Sequence, residues 1–320
     1  MDAVQIKQIA MMSAIVVASV VGYFARRCGK VPESLARKLM TVVVVCGYST
    51  IGFLSVWTLE LRIELMWLPI CLAIHIMILA GLGRAVGGLV TRDRQEAGML
   101  SIGCGLGNLS FTMGGLVAYM LYPETGLGMV AIAGLMWTPM VVLFIYPIAR
   151  AHSPEHDPMP FKQLMFRSVF DIRSIGLPLV VIGLLLAGYQ VPRPRWIANW
   201  QVVEGLMLAV ICTAYFSIGL RLRFAHVRKI WRAILTHAAI RFGAGLAVGA
   251  ALWGLTLLTP WPLTGQARNI LLIESFVPMA VTAVAVANMF TLRPEEASVI
   301  FVVNTIAYIL LVLPVILYVF

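Results

Sequence analysis

The stretch Gly103–Gly115, GCGLGNLSFTMGG, lies inside an apolar run from Ala97 to Leu121 that is long enough to cross a membrane. Glycine is a weak helix former, and Asn108 places a polar side chain where hydrocarbon cannot solvate it. The sequence therefore predicts an interrupted helix near Gly105–Asn108. Backbone groups freed by an interruption are tolerated at membrane depth only beside protein, water or a polar ligand. This stretch is the first candidate site.

The composition is that of a polytopic membrane protein. The chain has 320 residues, of which 61% are hydrophobic and 12% charged, and its mean hydropathy is +0.93. A membrane-spanning helix needs about 20 apolar residues. Because the apolar runs are long and continuous, they predict helices and exclude the short alternating strands of a barrel. Ten runs meet the criterion: Ile6–Phe24, Leu39–Trp57, Met66–Val90, Ala97–Leu121, Leu127–Ala149, Ile175–Tyr189, Val202–Leu220, Ile230–Leu258, Ile270–Phe290 and Ala297–Phe320.

The net charge of +10 follows the predicted topology. With ten spans, one alternating set of loops and the span ends that adjoin it hold 18 of the 24 Lys and Arg residues, the termini and other loops hold five, and Arg241 lies deep inside a span. Basic loops face the cytoplasm. We therefore expect a multi-pass protein of the cell membrane with both termini outside. The lipid bilayer, and not nucleic acid, is the expected partner of these charges.

Two spans resemble each other. HIMILAGLGRAVG (75–87) and HAAIRFGAGLAVG (237–249) are identical at seven of thirteen positions without a gap, beginning with His75 and His237. The separation is five spans, and an odd number gives the two copies opposite topology. Inverted repeats of this kind are typical of secondary transporters, whose substrate sites lie where corresponding spans are interrupted.

The repeat predicts the organisation of the chain and a second interruption. We expect a first five-helix repeat over 1–150, a cytoplasmic linker over 151–173 and a second, inverted five-helix repeat over 174–320. In the ninth span Pro278 cannot donate a hydrogen bond to the carbonyl of Glu274, so the helix is predicted to break there. Sliding the fourth span over the ninth places Asn108 over Pro278.

Several segments resemble the auxin efflux carrier family. GLGNLSFTMGGLVAYMLYPETGLGMVAIAG (105–134) resembles its fourth and fifth spans, and FVPMAVTAVAVANMFTLRPEEASVIFVVNTIAYILLVLPVI (276–316) resembles its last two. The resemblance implies ten spans, broken fourth and ninth helices that cross at mid-membrane, transport of small organic anions such as auxin, malonate or malate, and a homodimer. Asn108 and Pro278 match the family's crossover positions. Glu274 resembles instead the related bile acid/sodium symporters, where an acidic residue here helps to hold sodium.

The candidate residues flank the two interruptions or are polar within the spans. Those predicted to bind substrate are Gly105, Gly107, Asn108, Leu109, Arg241, Ser275, Pro278, Met279 and Asn304. Those predicted to handle a coupling ion are His75, His237 and Glu274. Each has a structural alternative: Asn108 could cap a half-helix, Glu274 could pair with Arg241 or a histidine, and each histidine could bond a neighbouring helix.

The sequence predicts a permease and not an enzyme, because the spans carry no arrangement of nucleophile, base or metal ligands. The expected activity is secondary transport of a small organic anion, a carboxylate by preference, by alternating access. No cofactor is expected beyond a coupling sodium ion or proton, with Glu274 the candidate for sodium. The alternatives are a sodium-coupled symporter that resembles the bile-acid carriers, and a membrane sensor that binds ligand without transporting it.

Overall fold

The computed structural model describes residues 3–32, 34–109, 111–154, 163, 166, 170–221 and 227–320. Across these ranges the chain is helical and forms no strand; one isolated antiparallel bridge joins Gly107 and Met279. Within the described residues, seven helical stretches are long and apolar enough to cross a membrane: Ala10–Arg27, Ser34–Trp57, Ile63–Val90, Gly126–His152, Val202–Gly219, Trp231–Thr256 and Pro294–Val319. A helical, membrane-embedded protein is thus the fold class that the described residues support.

The other three predicted runs do not form long helices. The runs Ala97–Leu121 and Ile270–Phe290 are each divided into two short helices, and Ile175–Tyr189 contains a helix of 13 residues. Two of the ten predicted runs are thus interrupted and one contains only a short helix, which is why the described residues form seven long helices. The predicted linker, 151–173, falls largely outside the described residues.

The chain divides into two compact units, and each draws on both halves of the sequence. Unit 1 comprises Met1–Leu61, Ser110–Ile132 and Asp171–Leu222, and unit 2 comprises Arg62–Leu109, Ala133–Phe170 and Arg223–Phe320. The first half of the interrupted fourth run belongs to unit 2, and its second half belongs to unit 1.

Unit 1 contains α1 (Ala3–Arg27), α2 (Ser34–Val42), a π-helical segment (Val43–Tyr48), α3 (Ser49–Trp57), α6 (Gly114–Leu121), most of α7 (Gly126–Ala133), a 3₁₀ turn (Ile172–Ile175), α10 (Gly176–Gly188), α11 (Arg195–Asn199) and α12 (Val202–Gly219). Small residues allow its helices to approach closely. A Cβ added to Gly183 of α10 would lie 2.8 Å from the carbonyl oxygen of Phe53 in α3. The hydroxyl of Tyr215 donates to the carbonyl of Thr112 at 2.9 Å, which fastens the segment before α6.

Unit 2 contains 3₁₀ turns (Ile63–Met66 and Gly134–Met136), α4 (Trp67–Val90), α5 (Arg94–Gly105), α8 (Trp137–Met140), a π segment (Val141–Ile145), α9 (Tyr146–His152), α13 (Trp231–Ala238), a π segment (Ala239–Ala244), α14 (Gly245–Thr256), α15 (Gly265–Ser275), α16 (Val281–Met289), α17 (Pro294–Ala307), a π segment (Tyr308–Val312) and α18 (Leu313–Val319). The Ala239–Ala244 segment carries Arg241, and it joins α13 and α14 into one long helix.

Glycines shared by the third and eighth spans mediate close helix contacts in unit 2. A Cβ at Gly83 of α4 would lie 2.8 Å from the carbonyl oxygen of Leu100 in α5. A Cβ at Gly245 of α14 would lie 2.5 Å from the carbonyl oxygen of Ser275, at the end of α15. In both cases the absence of a side chain lets a long helix pack directly against the first half of an interrupted run.

Two of the π segments end two residues before a proline. Val141–Ile145 precedes Pro147, and Tyr308–Val312 precedes Pro314. In a regular α-helix each proline would lack the N–H for the carbonyl four residues earlier and would collide with it. The wider π turn, in which bonds reach five residues back, relieves this conflict without ending the helix.

Candidate functional site

The two predicted interruptions are present in the structure, and each has a local cause. The fourth run ends as a helix at Gly105, after which Leu106 leaves helical geometry (φ −93°, ψ 89°). The ninth run ends as a helix at Ser275 and resumes at Val281. Pro278 lacks the N–H that would continue the second helix, and glycine weakens the first.

The two interruptions meet as a short antiparallel pair of extended segments. The N–H of Asn108 donates to the carbonyl of Pro278 at 2.7 Å, and the N–H of Ala280 donates to the carbonyl of Leu106 at 2.8 Å. Gly107 and Met279 lie opposite each other between these bonds. The crossover, meaning segments 106–109 and 276–280, therefore satisfies several backbone groups that would otherwise be unbonded at membrane depth.

Arg241 completes the crossover. Its side chain is fully buried, and its guanidinium donates to the carbonyl of Val277 from Nε (3.0 Å) and Nη2 (2.7 Å) and to the carbonyl of Cys104 from Nη1 (3.1 Å). Both carbonyls belong to the chain around the ends of α5 and α15, where the helix dipole leaves negative partial charge. One cation thus bonds to both interrupted runs.

Gly107 makes room for this guanidinium. A Cβ at Gly107 would overlap Nη2 of Arg241 and would lie 2.8 Å from its Cζ. Any side chain at this position would displace the guanidinium from the Val277 carbonyl. The requirement here is steric, because the approach of Arg241 leaves no space beside the backbone.

Glu274 lies in the last turn of α15 and is fully buried. Neither carboxylate oxygen has a hydrogen-bond partner among the described residues. The carboxylate and Arg241 interact electrostatically, but the hydrogen bonds of Arg241 go to backbone carbonyls and not to Glu274. A directly hydrogen-bonded Glu274–Arg241 pair, one alternative for this residue, is absent from this arrangement.

The two repeat-related histidines both bond to neighbouring helices. Nε2 of His75 lies 3.1 Å from the carbonyl oxygen of Gly245, for which it is the donor. Nδ1 of His237 lies 2.8 Å from Nδ2 of Asn304, within hydrogen-bonding distance. Both rings therefore connect helices of unit 2.

All the predicted site residues lie in unit 2, and most are buried at or beside the crossover. Gly105 is the last residue of α5, and Ser275 is the last residue of α15. Asn108 is 5% exposed. The sulfur of Met279 lies 3.3 Å from the position that a Cβ of Gly103 would occupy. Leu109 follows Asn108 and is also buried. Among the described residues, the Asn304 side chain bonds to His237 and not to the crossover segments.

Sequence reasoning missed the backbone groups that matter most here. The carbonyls of Cys104 and Val277, which accept from Arg241, carry no side-chain signal. Val277 could have been found, since a residue before proline is displaced from helical geometry and loses its carbonyl's helical partner. The π segment around Arg241 was also not predicted.

A cavity of about 310 Å³ lies elsewhere in unit 2, at the ends of α4 and α13, and none of the predicted site residues lines it. Among the described residues no group of three or more His, Cys, Asp or Glu side chains is arranged to hold a metal ion. The crossover is thus the part of the described chain where buried charge and irregular backbone coincide.

Comparison with family models gives no match for this chain, and comparison with curated proteins gives none either. The class of the protein accordingly rests on its own features: in the described part of the chain, seven membrane-length helices and a buried crossover of two interrupted runs.

Proposed function

We propose that this protein is a secondary transporter that moves a small organic anion, a carboxylate by preference, across the cell membrane by alternating access. The observation that carries the proposal is the crossover of the two interrupted runs in unit 2, with Asn108 bonded to Pro278 and Arg241 buried against both. Interrupted helices that meet inside a membrane protein are the usual setting of substrate sites in secondary transporters.

Two features support an inverted repeat of ten spans. The π segments of the fifth and tenth spans and their prolines share one offset: 308 − 141, 312 − 145 and 314 − 147 all equal 167. In addition, the repeat-related Gly83 and Gly245 each face the first half-helix of the following interrupted run. Structural equivalence of this kind supplements the sequence identity between the third and eighth spans.

The division into units supports alternating access. Unit 2 contains the whole crossover together with the helices that bond to it. A compact body that carries the irregular segments is the natural candidate for the part that moves, since the geometry at the site is then preserved during the motion.

The choice of an anion rests on charge and on resemblance. The half-helix α16 begins at Val281, directly after the crossover, and its first N–H groups present a positive dipole end. Arg241 adds a buried positive charge nearby. The resemblance to auxin efflux carriers supplies the carboxylate class.

The test is a binding screen followed by transport. Purified protein is heated with a panel of mono- and dicarboxylates, and a compound that raises the unfolding midpoint is then assayed for uptake into proteoliposomes. Asn108→Ala should lower uptake at least tenfold while the amount of folded protein stays within twofold of wild type. Asn288→Ala, at an exposed position of α16, is the matched control and should leave uptake unchanged. Equal uptake by both variants would remove Asn108 from the site.

A further inference from the structure

The crossover carries its own cation. Carbonyl groups around the ends of interrupted helices are a favourable place for a positive ion, because the helix dipole and the freed oxygens both attract it. Here two such oxygens, those of Cys104 and Val277, accept hydrogen bonds from the guanidinium of Arg241. Each of the three guanidinium nitrogens makes one of these bonds, so the cation is held by the crossover backbone itself.

The surroundings are adapted to this charge. Arg241 is completely buried, and its guanidinium donates hydrogen bonds to the carbonyls of Cys104 and Val277. A buried ion is stable only when paired and hydrogen-bonded. Gly107 lacks the side chain that would overlap the guanidinium. The π segment Ala239–Ala244 carries Arg241, and a wider helical turn changes the direction of the side chains it bears.

The equivalent position in the other repeat has no charge. In the alignment of 75–87 with 237–249, Arg241 corresponds to Leu79, which is fully buried in an apolar cluster with Cys104 and Ile240. A hydrophobic residue therefore satisfies the packing requirement at this depth. The charge of Arg241 has another role.

We propose that Arg241 is a tethered cation, whose guanidinium permanently occupies the place at the crossover where an ion-coupled carrier would bind its coupling ion, so that this protein does not use sodium. The statement about coupling rests on the proposed transport function; the statement about the site does not. Sodium has no place to bind while the guanidinium holds the Cys104 and Val277 carbonyls, and the positive charge that would help to hold an anion nearby is always present.

The experiment removes the guanidinium of Arg241 by mutation and supplies free guanidinium ions in solution. Arg241→Ala is purified, and its unfolding midpoint is measured in about 20 mM guanidinium chloride, a concentration far below the denaturing range, and in choline chloride of equal ionic strength. Guanidinium should raise the midpoint of the variant by about 3 °C or more relative to choline, because it binds the folded state at the vacated carbonyls. The wild-type protein should show no such rise.

Leu79→Ala is the matched control, because it opens a space of similar depth beside Cys104 that is lined by apolar groups. It should not respond to guanidinium. Absence of a guanidinium-dependent rise in Arg241→Ala, or an equal rise in Leu79→Ala, overturns the tethered cation.

A second measurement needs no variant and decides the matter if Arg241→Ala does not fold. The wild-type midpoint should be the same in sodium chloride and in choline chloride, and a higher midpoint in sodium overturns the proposal. Neither measurement uses a substrate. The tethered cation can therefore fail while carboxylate transport is demonstrated, or stand while the carboxylate screen finds nothing.

Discussion

Gly107→Ala should be among the most damaging small substitutions in this protein. The added Cβ would lie 2.8 Å from Cζ of Arg241, whereas carbon atoms in contact are about 3.5–4.0 Å apart, so the guanidinium must move by about 1 Å. Its bonds to Val277, now 2.7 and 3.0 Å long, would then exceed hydrogen-bonding distance.

The size of the effect follows from the charge. A hydrogen bond to a charged group contributes about 1.5–3 kcal/mol, and a buried charge that loses its partners costs about 3–5 kcal/mol. We expect Gly107→Ala to lower the free energy of unfolding by about 3–5 kcal/mol, a large part of the usual ~5–15 kcal/mol. No gain in helix propensity offsets this, because Gly107 lies in an extended segment.

The assay is thermal unfolding of detergent-purified protein, with the yield of monodisperse protein as a second readout. Gly81→Ala is the control: it is the same chemical change, and nothing lies within 4 Å of the added Cβ. Because Gly81 lies within α4, the alanine should be neutral or stabilising by up to about 1 kcal/mol.

A double-mutant cycle tests the cause. If Gly107 is required because of Arg241, then Gly107→Ala should cost much less in an Arg241→Met background than in the wild type. Additive effects of the two substitutions would refute the steric argument, and so would a Gly107→Ala protein as stable as Gly81→Ala.

Three further predictions concern the ends of helices, the buried carboxylate and the topology. Oδ1 of Asp93 caps α5 and Oδ2 pairs with Arg293; burial raises the pKa of Asp93, but the bonds from Arg293 and the cap lower it more, so the pKa is depressed overall. The stabilisation of the folded state by ionised Asp93 should therefore be present above pH ~4 and be lost on acidification through the folded-state pKa. In unfolding scans Asp93→Asn, which keeps a helix cap, should lower the free energy of unfolding by at most about 1 kcal/mol and abolish this pH dependence. Asp93→Ala should cost about 1 kcal/mol more. Glu274→Gln loses no hydrogen bond, so it should express near the wild-type level and remove any pH dependence of transport; poor folding that Arg241→Met rescues would show instead that Glu274 neutralises Arg241. A cysteine introduced within 151–172 should react with an impermeant thiol reagent only after the cells are opened, and reaction in intact cells would reverse the assigned topology.

The positions of the interruptions could be predicted because they depend on local chemistry. Pro278 lacks a backbone donor, and the glycines before Asn108 weaken the helix, whatever surrounds them. Asn108 and Pro278, which the repeat alignment places at equivalent positions, share a backbone hydrogen bond that the alignment itself did not predict. The glycine pattern of 75–87 and 237–249 indicated close packing, and that packing is present.

The partners of Arg241 could not be predicted, for a physical reason. It bonds to the main chain at Cys104 and Val277, and a carbonyl group has no identity in the sequence. Its direction also depends on the π segment Ala239–Ala244, which shifts the helical register by a fraction of a turn and has no residue signature. His237 lies four residues before Arg241, yet the two side chains have different partners.

Leu79 and Arg241 occupy equivalent positions in the repeat but differ in charge, and the planar geometry of the guanidinium explains the difference. Two interrupted runs leave carbonyl oxygens from two segments at one point, and two cations placed symmetrically there would repel each other at low dielectric. A single guanidinium avoids this, because its planar set of donors reaches Val277 on one run and Cys104 on the other. Arg241 alone bonds both carbonyls, and Leu79 contributes at the equivalent position by apolar packing. Lysine would not be equivalent, since a point charge does not span the two carbonyls in this way; Arg241→Lys should therefore keep the charge and still lose stability, and a fully stable lysine variant would show that charge alone is required.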